Sequence, residues 1–315
     1  MNKLSHLIFL ALGIGCIGAP ARAALDPWSL EPAAGGAAFF AAHDTEGFST
    51  RRLALEALPV YEHGDRLTGV RYTESTYTQD QWRREGQQLS LLTRNIDPVT
   101  ANGWNLEAGA FHQSAHNMLT LDGNVRHALA DKTTLEVFID REWVETQPAL
   151  DQGVRFTLLG ASLDQGLGEH LTLVGMAGAQ RFSDGNERNH LRGRLIYQPL
   201  LDSGVTLQLR YRLFRSSTGD TAGTYFNPRR YDEAMLALGW RKRVQGWTVR
   251  AAAGSGRQHV DEVVGTDTRL LELGLESPHK GPQFLRLRGG YSRSASFQGP
   301  DYAYTYAQGE WILRF

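Results

Sequence analysis

The sequence predicts an all-β fold, a transmembrane antiparallel up-and-down β-barrel of about sixteen strands, on three observations. Between turn signals, segments of about ten residues alternate apolar and polar side chains. No apolar run reaches the length of about 18 residues that a membrane-crossing helix needs. The final segment alternates up to an aromatic C-terminus, Phe315. A soluble all-β domain also alternates, so strand ends, connections and chain termini have to decide between the two.

The first 23 residues read as an export signal. Lys3 gives a basic start, Leu7 to Cys16 an apolar stretch, and Ala21-Arg22-Ala23 a small-x-small cleavage site. The apolar stretch is about half of what a spanning helix requires, so removal is expected, with a mature chain starting near Ala24. A lipoprotein alternative would make Cys16 the acylated first residue, but Gly13 stands where such signals carry leucine. Cys16 is the one cysteine of the sequence, so a cleaved chain excludes disulfides, thiolate metal sites and cysteine nucleophiles. Residues 24–34, with Pro27 and Pro32, read as a short periplasmic lead-in, and 35–315 as the barrel.

Candidate strands lie near 35–43, 50–61, 67–77, 82–94, 103–112, 118–128, 133–143, 154–165, 170–182, 189–198, 205–214, 231–240, 247–256, 268–277, 283–294 and 302–315. The clearest is 205–214, where Val205, Leu207, Leu209, Tyr211 and Leu213 alternate with Thr206, Gln208, Arg210 and Arg212. A period of two puts these sets on opposite faces. Short turns at 62–65, 130–132, 166–169, 201–204, 243–246 and 279–282 join even strands to odd ones. Longer polar segments at 145–152, 183–188, 216–230 and 257–267 join odd to even, the asymmetry expected of periplasmic turns and extracellular loops. Trp82, Trp104, Trp143, Trp240, Trp247 and Trp311 fall near strand ends, where aromatic girdles meet water. The last strand, finishing on Phe315, resembles the signal read by the bacterial outer-membrane insertion machinery.

Formal net charge is −1, from 33 basic and 34 acidic residues, which gives no reason to expect a nucleic-acid partner. A hydrophobic content of 41% fits a barrel in which one strand face meets lipid and the other a polar lumen. A charge on the lipid face costs about 2–4 kcal/mol at the midplane, so parity sends Arg192, Arg194, Arg210, Arg212, Arg286, Arg288, Glu107, Glu136 and Asp140 inward. They form either a self-neutralising lining or a conduit whose opposite-sign walls orient a hydrated substrate. Tyr302, Tyr304 and Tyr306 share the lumen side, as a sugar-stacking ladder or as packing residues.

Catalytic parts are sparse. His112 and His116 stand four apart at a hairpin tip, without the cysteines or clustered carboxylates that would complete a metal site. His43 with Asp44, and His259 with Asp261, are loop pairs lacking a nucleophilic serine, and no G-x-S-x-G occurs. No catalytic residue, metal or cofactor is expected.

The segment Gly223-Thr224-Tyr225-Phe226-Asn227-Pro228-Arg229-Arg230-Tyr231, followed by a strand to Trp240, resembles the C-terminal porin domains of exopolysaccharide exporters for poly-N-acetylglucosamine and cellulose. The outer-membrane barrels called the YaiO family look similar. The resemblance covers 35–315 and implies a sixteen-stranded barrel passing a polysaccharide, with Tyr225, Phe226, Asn227 and Pro228 shaping a loop that folds inward and narrows the pore. The large exporters carry periplasmic helical repeats before the barrel. No such array is seen here, so a separate periplasmic scaffold would have to recruit other components. Two other readings stay open: an outer-membrane lipid- or glycan-modifying enzyme or surface receptor acting through 215–230 and 257–267, and a general diffusion porin.

Overall fold

The computed structural model describes residues 33–315, apart from 98, 115, 220, 222, 280, 297 and 298. The expected signal at 1–23, with Cys16, and the lead-in up to residue 32 lie outside the described residues.

Sixteen strands follow in order: β1 Ala34–Asp44, β2 Ser49–His63, β3 Arg66–Gln79, β4 Trp82–Ile96, β5 Gly103–Gln113, β6 His116–Ala130, β7 Thr133–Trp143, β8 Arg155–Gly166, β9 Leu171–Phe182, β10 Glu187–Tyr197, β11 Val205–Ser216, β12 Arg230–Val244, β13 Trp247–Val260, β14 Val263–Glu276, β15 Gln283–Ser296 and β16 Gly299–Arg314. Each pairs antiparallel with its sequence neighbours, and β1 pairs with β16 from Ala34↔Arg314 to Asp44↔Tyr304, so the wall closes. Closure leaves no strand edge, the condition for placing a sheet in hydrocarbon.

The pleat sorts side chains by chemistry. On β12, Leu236 and Leu238 are 60% and 57% exposed while Ala237 between them is 2% exposed. Leu53, Leu55, Leu89, Leu91, Leu119, Leu207, Leu209 and Leu273 are likewise exposed, which in water would be a large apolar patch and here is the lipid-facing belt. Leu209→Arg is therefore expected to destabilise the folded barrel by about 2–4 kcal/mol, while Leu209→Ile, which keeps the apolar face, changes it by less than about 1.5 kcal/mol. Equilibrium urea unfolding in lipid vesicles checks the difference.

Trp104, Trp240 and Trp311 are exposed on the outer face toward the end of the barrel where β1 starts and β16 finishes, the terminal end. Trp143, by contrast, is buried in an inner cluster at the opposite, loop end, and Trp82 packs against that cluster. These two indoles serve lumen packing, not a girdle.

Connection lengths depart from the expected asymmetry. At the loop end, 80–81 and 261–262 are tight turns, and among the described residues the long connections are 144–154 and 217–229. The expected loop at 257–267 is a hairpin: β13 runs to Val260, β14 starts at Val263, and Arg257 pairs with Asp267 across the ladder, both exposed. Polar side chains there mark strand that projects beyond the apolar belt. The segment expected as a loop at 145–152 contains a short helix, α1 (Gln147–Gln152). Thr146 caps it by accepting a hydrogen bond from the Ala149 amide, Pro148 stands in its first turn, and Gly153 ends it in the left-handed conformation at φ 68°.

Candidate functional site: the lumen

At the loop end, the two long connections turn into the barrel. Leu150 of α1 is fully buried among Tyr77, Phe111, Met118, Trp143 and Tyr302, side chains from β3, β5, β6, β7 and β16, together with Phe48. A segment that leaves β7 and joins one buried cluster with side chains of β3 and β16 reaches into the lumen. Glu145, also in this segment, meets Arg52 in an ion pair and accepts a hydrogen bond of 3.0 Å from Thr50 Oγ1, both on β2. Asp151 pairs with Arg84 and accepts from Trp82 Nε1 at 3.1 Å on the β4 side.

The 217–229 segment packs against the β7–β12 side of the wall. Tyr225 is fully buried with Val144, Ala149, Val154, Phe138, Phe156, Leu158 and Met176, and its ring stacks on Phe182 at 4.7 Å. Its hydroxyl donates to Asp184 Oδ2 at 2.8 Å and accepts from Asn186 Nδ2 at 3.1 Å. Asn186 Nδ2 also donates to Asn227 Oδ1 at 2.9 Å, and Asn227 Nδ2 to the Thr218 carbonyl at 2.6 Å. Arg188, fully buried, donates to the Phe226 carbonyl and Asn227 Oδ1 and lies over the Phe182 and Phe214 rings at 5.2 and 4.5 Å. Phe226 meets Phe214 and Tyr231 edge-on, and Pro228 is buried beside it. The two segments are joined by Thr146 Oγ1, which donates to the Thr224 carbonyl at 2.6 Å. The Tyr-Phe-Asn-Pro residues thus sit inside the wall as packed, hydrogen-bonded anchors.

Below this layer the lumen wall is two-signed. Arg192 faces Arg212 across the β10–β11 ladder, and Arg194 faces Arg210. Arg212 pairs with Glu233 and donates to Tyr231 Oη at 2.6 Å, and Arg210 reaches Glu272 at 3.5 Å. On the β5–β7 wall, Glu107 faces Asp122 and Asp122 faces Asp140 in consecutive registers. Glu107 pairs with Arg71, while Arg126 lies 3.7 Å from Glu136 and 3.4 Å from Asp164. Among the described residues, Arg192, Arg288 and Asp122 have no ion-pair partner within 4.0 Å. Internal neutralisation therefore accounts for Arg212, Arg286, Glu107 and Glu136 but leaves charge over on both walls.

Tyr304 and Tyr306 stack at 5.9 Å, half-buried on β16, whereas Tyr302 is buried in the Leu150 cluster with its hydroxyl 3.4 Å from Asp44. The ladder of three is thus a packed residue plus an accessible pair.

The terminal end carries a network that parity could have flagged but that no local motif announces. Arg71, Arg94 and Arg286 converge on Glu310 at 3.8, 3.5 and 3.5 Å, and Arg71 Nη2 meets Glu56 at 2.7 Å. Around it, Ala34, Leu58, Tyr61, Leu67, Leu92, Phe284 and Ile312 form an inward apolar cluster. Bulges in β2 turn Leu58 and Tyr61 to the same side. His279 lies 3.1 Å from both Asp65 and Glu276, and hydrogen bonds to these carboxylates raise its imidazole to about 9.

The histidines singled out from sequence have local partners. His43 Nδ1 is 2.8 Å from Ser49 Oγ, His112 Nδ1 is 2.6 Å from Asn117 Oδ1, and His259 Nδ1 is 3.3 Å from Asp232. His116 approaches the Asp151 carbonyl at 3.4 Å. Asp44 accepts the Glu46 and Phe48 amides, as turn-forming carboxylates do, and Asp261 accepts the Arg230 amide at the start of β12.

No protein-family model and no curated protein sequence matches the chain. Among solved structures, it is similar to a bacterial polysaccharide outer membrane secretin at TM-score 0.66 and 13% identity, with 91% of this chain and 99% of that one covered. It is also similar to OccK7 (OpdD) of Pseudomonas aeruginosa, at TM-score 0.43 and 12% identity over 90% of this chain and 99% of that one. For OprD of the same organism the values are 0.44 and 12%, over 90% and 94%. The first of these likenesses, with the closed sixteen-stranded wall, shows the fold to be that of a bacterial outer-membrane barrel, and the apolar outer belt suits a lipid surround.

Proposed function

We propose that the chain is a non-enzymatic outer-membrane channel through which a saccharide, in the first place an exopolysaccharide leaving the cell, crosses a lumen shut at its extracellular end by two inward loops. The observation that carries this reading is the seating of Tyr225–Asn227 and Leu150 inside the barrel above an unneutralised two-signed wall. A hydrated polymer needs polar walls that bind weakly at many points, and a leak-proof membrane needs the passage closed when the polymer is absent. Arg192 and Arg288 can donate to sugar oxygens, Asp122 can accept from hydroxyls, and the Tyr304–Tyr306 pair offers a face for a pyranose ring. The similar solved structure described as a polysaccharide outer membrane secretin supports the saccharide class. In this reading the terminal end faces the periplasm, the insertion machinery reads β16, and a separate periplasmic scaffold delivers the polymer.

The test has two arms. Deleting the gene should lower surface polysaccharide, and soluble oligosaccharide should block the current of the reconstituted channel. Hydrogen bonds to charged groups contribute about 1.5–3 kcal/mol each, so Arg192→Glu with Arg288→Glu should weaken that block at least about tenfold. Unchanged surface polysaccharide together with a current indifferent to sugars would remove the export reading. A large, unselective conductance insensitive to Arg192 and Arg288 would identify a general diffusion porin instead.

A further inference from the structure

We propose that His63, Asp65 and His279 form a binding site for a divalent transition-metal ion of zinc's class at the terminal end of the barrel, with Glu276 positioning His279. The residues come from two distant parts of the chain: His63 closes β2 and Asp65 sits in the turn to β3, while His279 lies in the 277–282 connection between β14 and β15. Their potential ligand atoms all lie within 4.8 Å of one another. Ligand bonds of about 2.0–2.2 Å bring donor atoms to roughly 3.5 Å apart, so a small side-chain rotation suffices. His279 Nδ1 and Asp65 Oδ2 already stand at 3.1 Å.

The ring nitrogens are assigned by their other contacts. Glu276 Oε1 lies 3.1 Å from His279 Nε2 and would accept its N–H, so an ion would take the place of the proton that Nδ1 shares with Asp65, the carboxylate–histidine–metal arrangement that orients a ligand imidazole. The Asp65 amide donates to His63 Nδ1 at 3.2 Å, which leaves Nε2 for the ion. Two imidazoles and one carboxylate are a donor set that suits zinc, with a fourth position for water. Binding releases the proton held on His279. Arg286, 3.7 Å from Asp65 and 3.1 Å from Glu276, shares its charge with Glu310 and so does not neutralise the site by itself.

The scaffold is fixed before any ion arrives. The Gly64 carbonyl accepts from Arg94 Nη1 at 2.6 Å, and a β-carbon on Gly64 would stand 2.8 Å from the Phe284 ring, so the turn lies flat on that ring. His279 packs against the same ring at 5.3 Å. An ion here would tie the β2–β3 turn to the β14–β15 connection and brace the terminal mouth. This inference does not depend on what the lumen carries.

The test uses the full barrel without a polyhistidine tag, refolded in detergent, stripped with a chelator and titrated with Zn2+ against a chromophoric competitor. One zinc per chain at micromolar or tighter affinity is expected. His63→Ala and His279→Ala should each weaken it at least about 100-fold, and Glu276→Gln about tenfold. If His279→Ala fails to refold, the His63→Ala result and the Co2+ absorption spectrum of the wild-type protein decide, with histidine-ligated bands expected. Absence of one-to-one binding, or equal affinity in wild type and His63→Ala, would overturn the site.

Discussion

Tyr225→Ala is expected to turn a channel that is shut most of the time into one that is open most of the time. The ring is fully buried, stacks on Phe182 at 4.7 Å and holds Asp184 and Asn186 through its hydroxyl. Truncating a buried aromatic side chain costs about 3–5 kcal/mol, and here that cost falls on the seated position of the 217–229 loop and not on the barrel wall. The seated-to-released equilibrium should shift by more than about a hundredfold. Single-channel recording in planar bilayers reads this as open probability, and thermal stability of the barrel should change little. Equal open probability in wild type and variant would show that the loop is not the closure.

The second large effect is expected at Glu145, which is 3% exposed and pairs with Arg52 across the lumen. Glu145→Ala leaves Thr50 without its acceptor and Arg52 with Glu142, 3.7 Å away, as its remaining carboxylate. Removing one partner of a buried pair costs about 3–5 kcal/mol where the remaining charge is left alone, and the Glu142 carboxylate beside Arg52 lowers that cost here. Glu145→Ala should therefore raise open probability, by less than Tyr225→Ala does, while Arg52→Ala with Glu145→Ala should recover part of the loss. The Thr146–Thr224 hydrogen bond couples the two segments, so combining Tyr225→Ala with Glu145→Ala should fall short of additivity.

The wall was legible in sequence because a pleated strand has only two faces. Leu207 and Leu209 against Gln208, or Tyr304 and Tyr306 against Thr305, need nothing beyond period-two geometry, and sixteen such runs gave the strand count. What fills the wall was less legible. Polar residues at 257–267 read as loop because strand that projects past the lipid loses its apolar marker. Thr146 and Pro148 signal α1 locally, but that Leu150 of this helix crosses to β16 and β3 depends on contacts with no sequence proximity. Trp82 and Trp143 look like girdle residues at their positions and are drawn inward by that same helix. The His63–Asp65–His279 cluster joins two turns that become neighbours only when β1 closes on β16.

Permeation of an oligosaccharide into proteoliposomes tests the central claim most directly. In an isotonic sugar solution, wild-type vesicles should swell slowly, and vesicles carrying Tyr225→Ala with Glu145→Ala should swell fast, with Arg192→Glu and Arg288→Glu altering the sugar rate more than the salt rate. Wild-type swelling as fast as that of the doubly substituted protein, or an opened barrel that passes salt yet excludes the sugar, would contradict a loop-closed saccharide conduit.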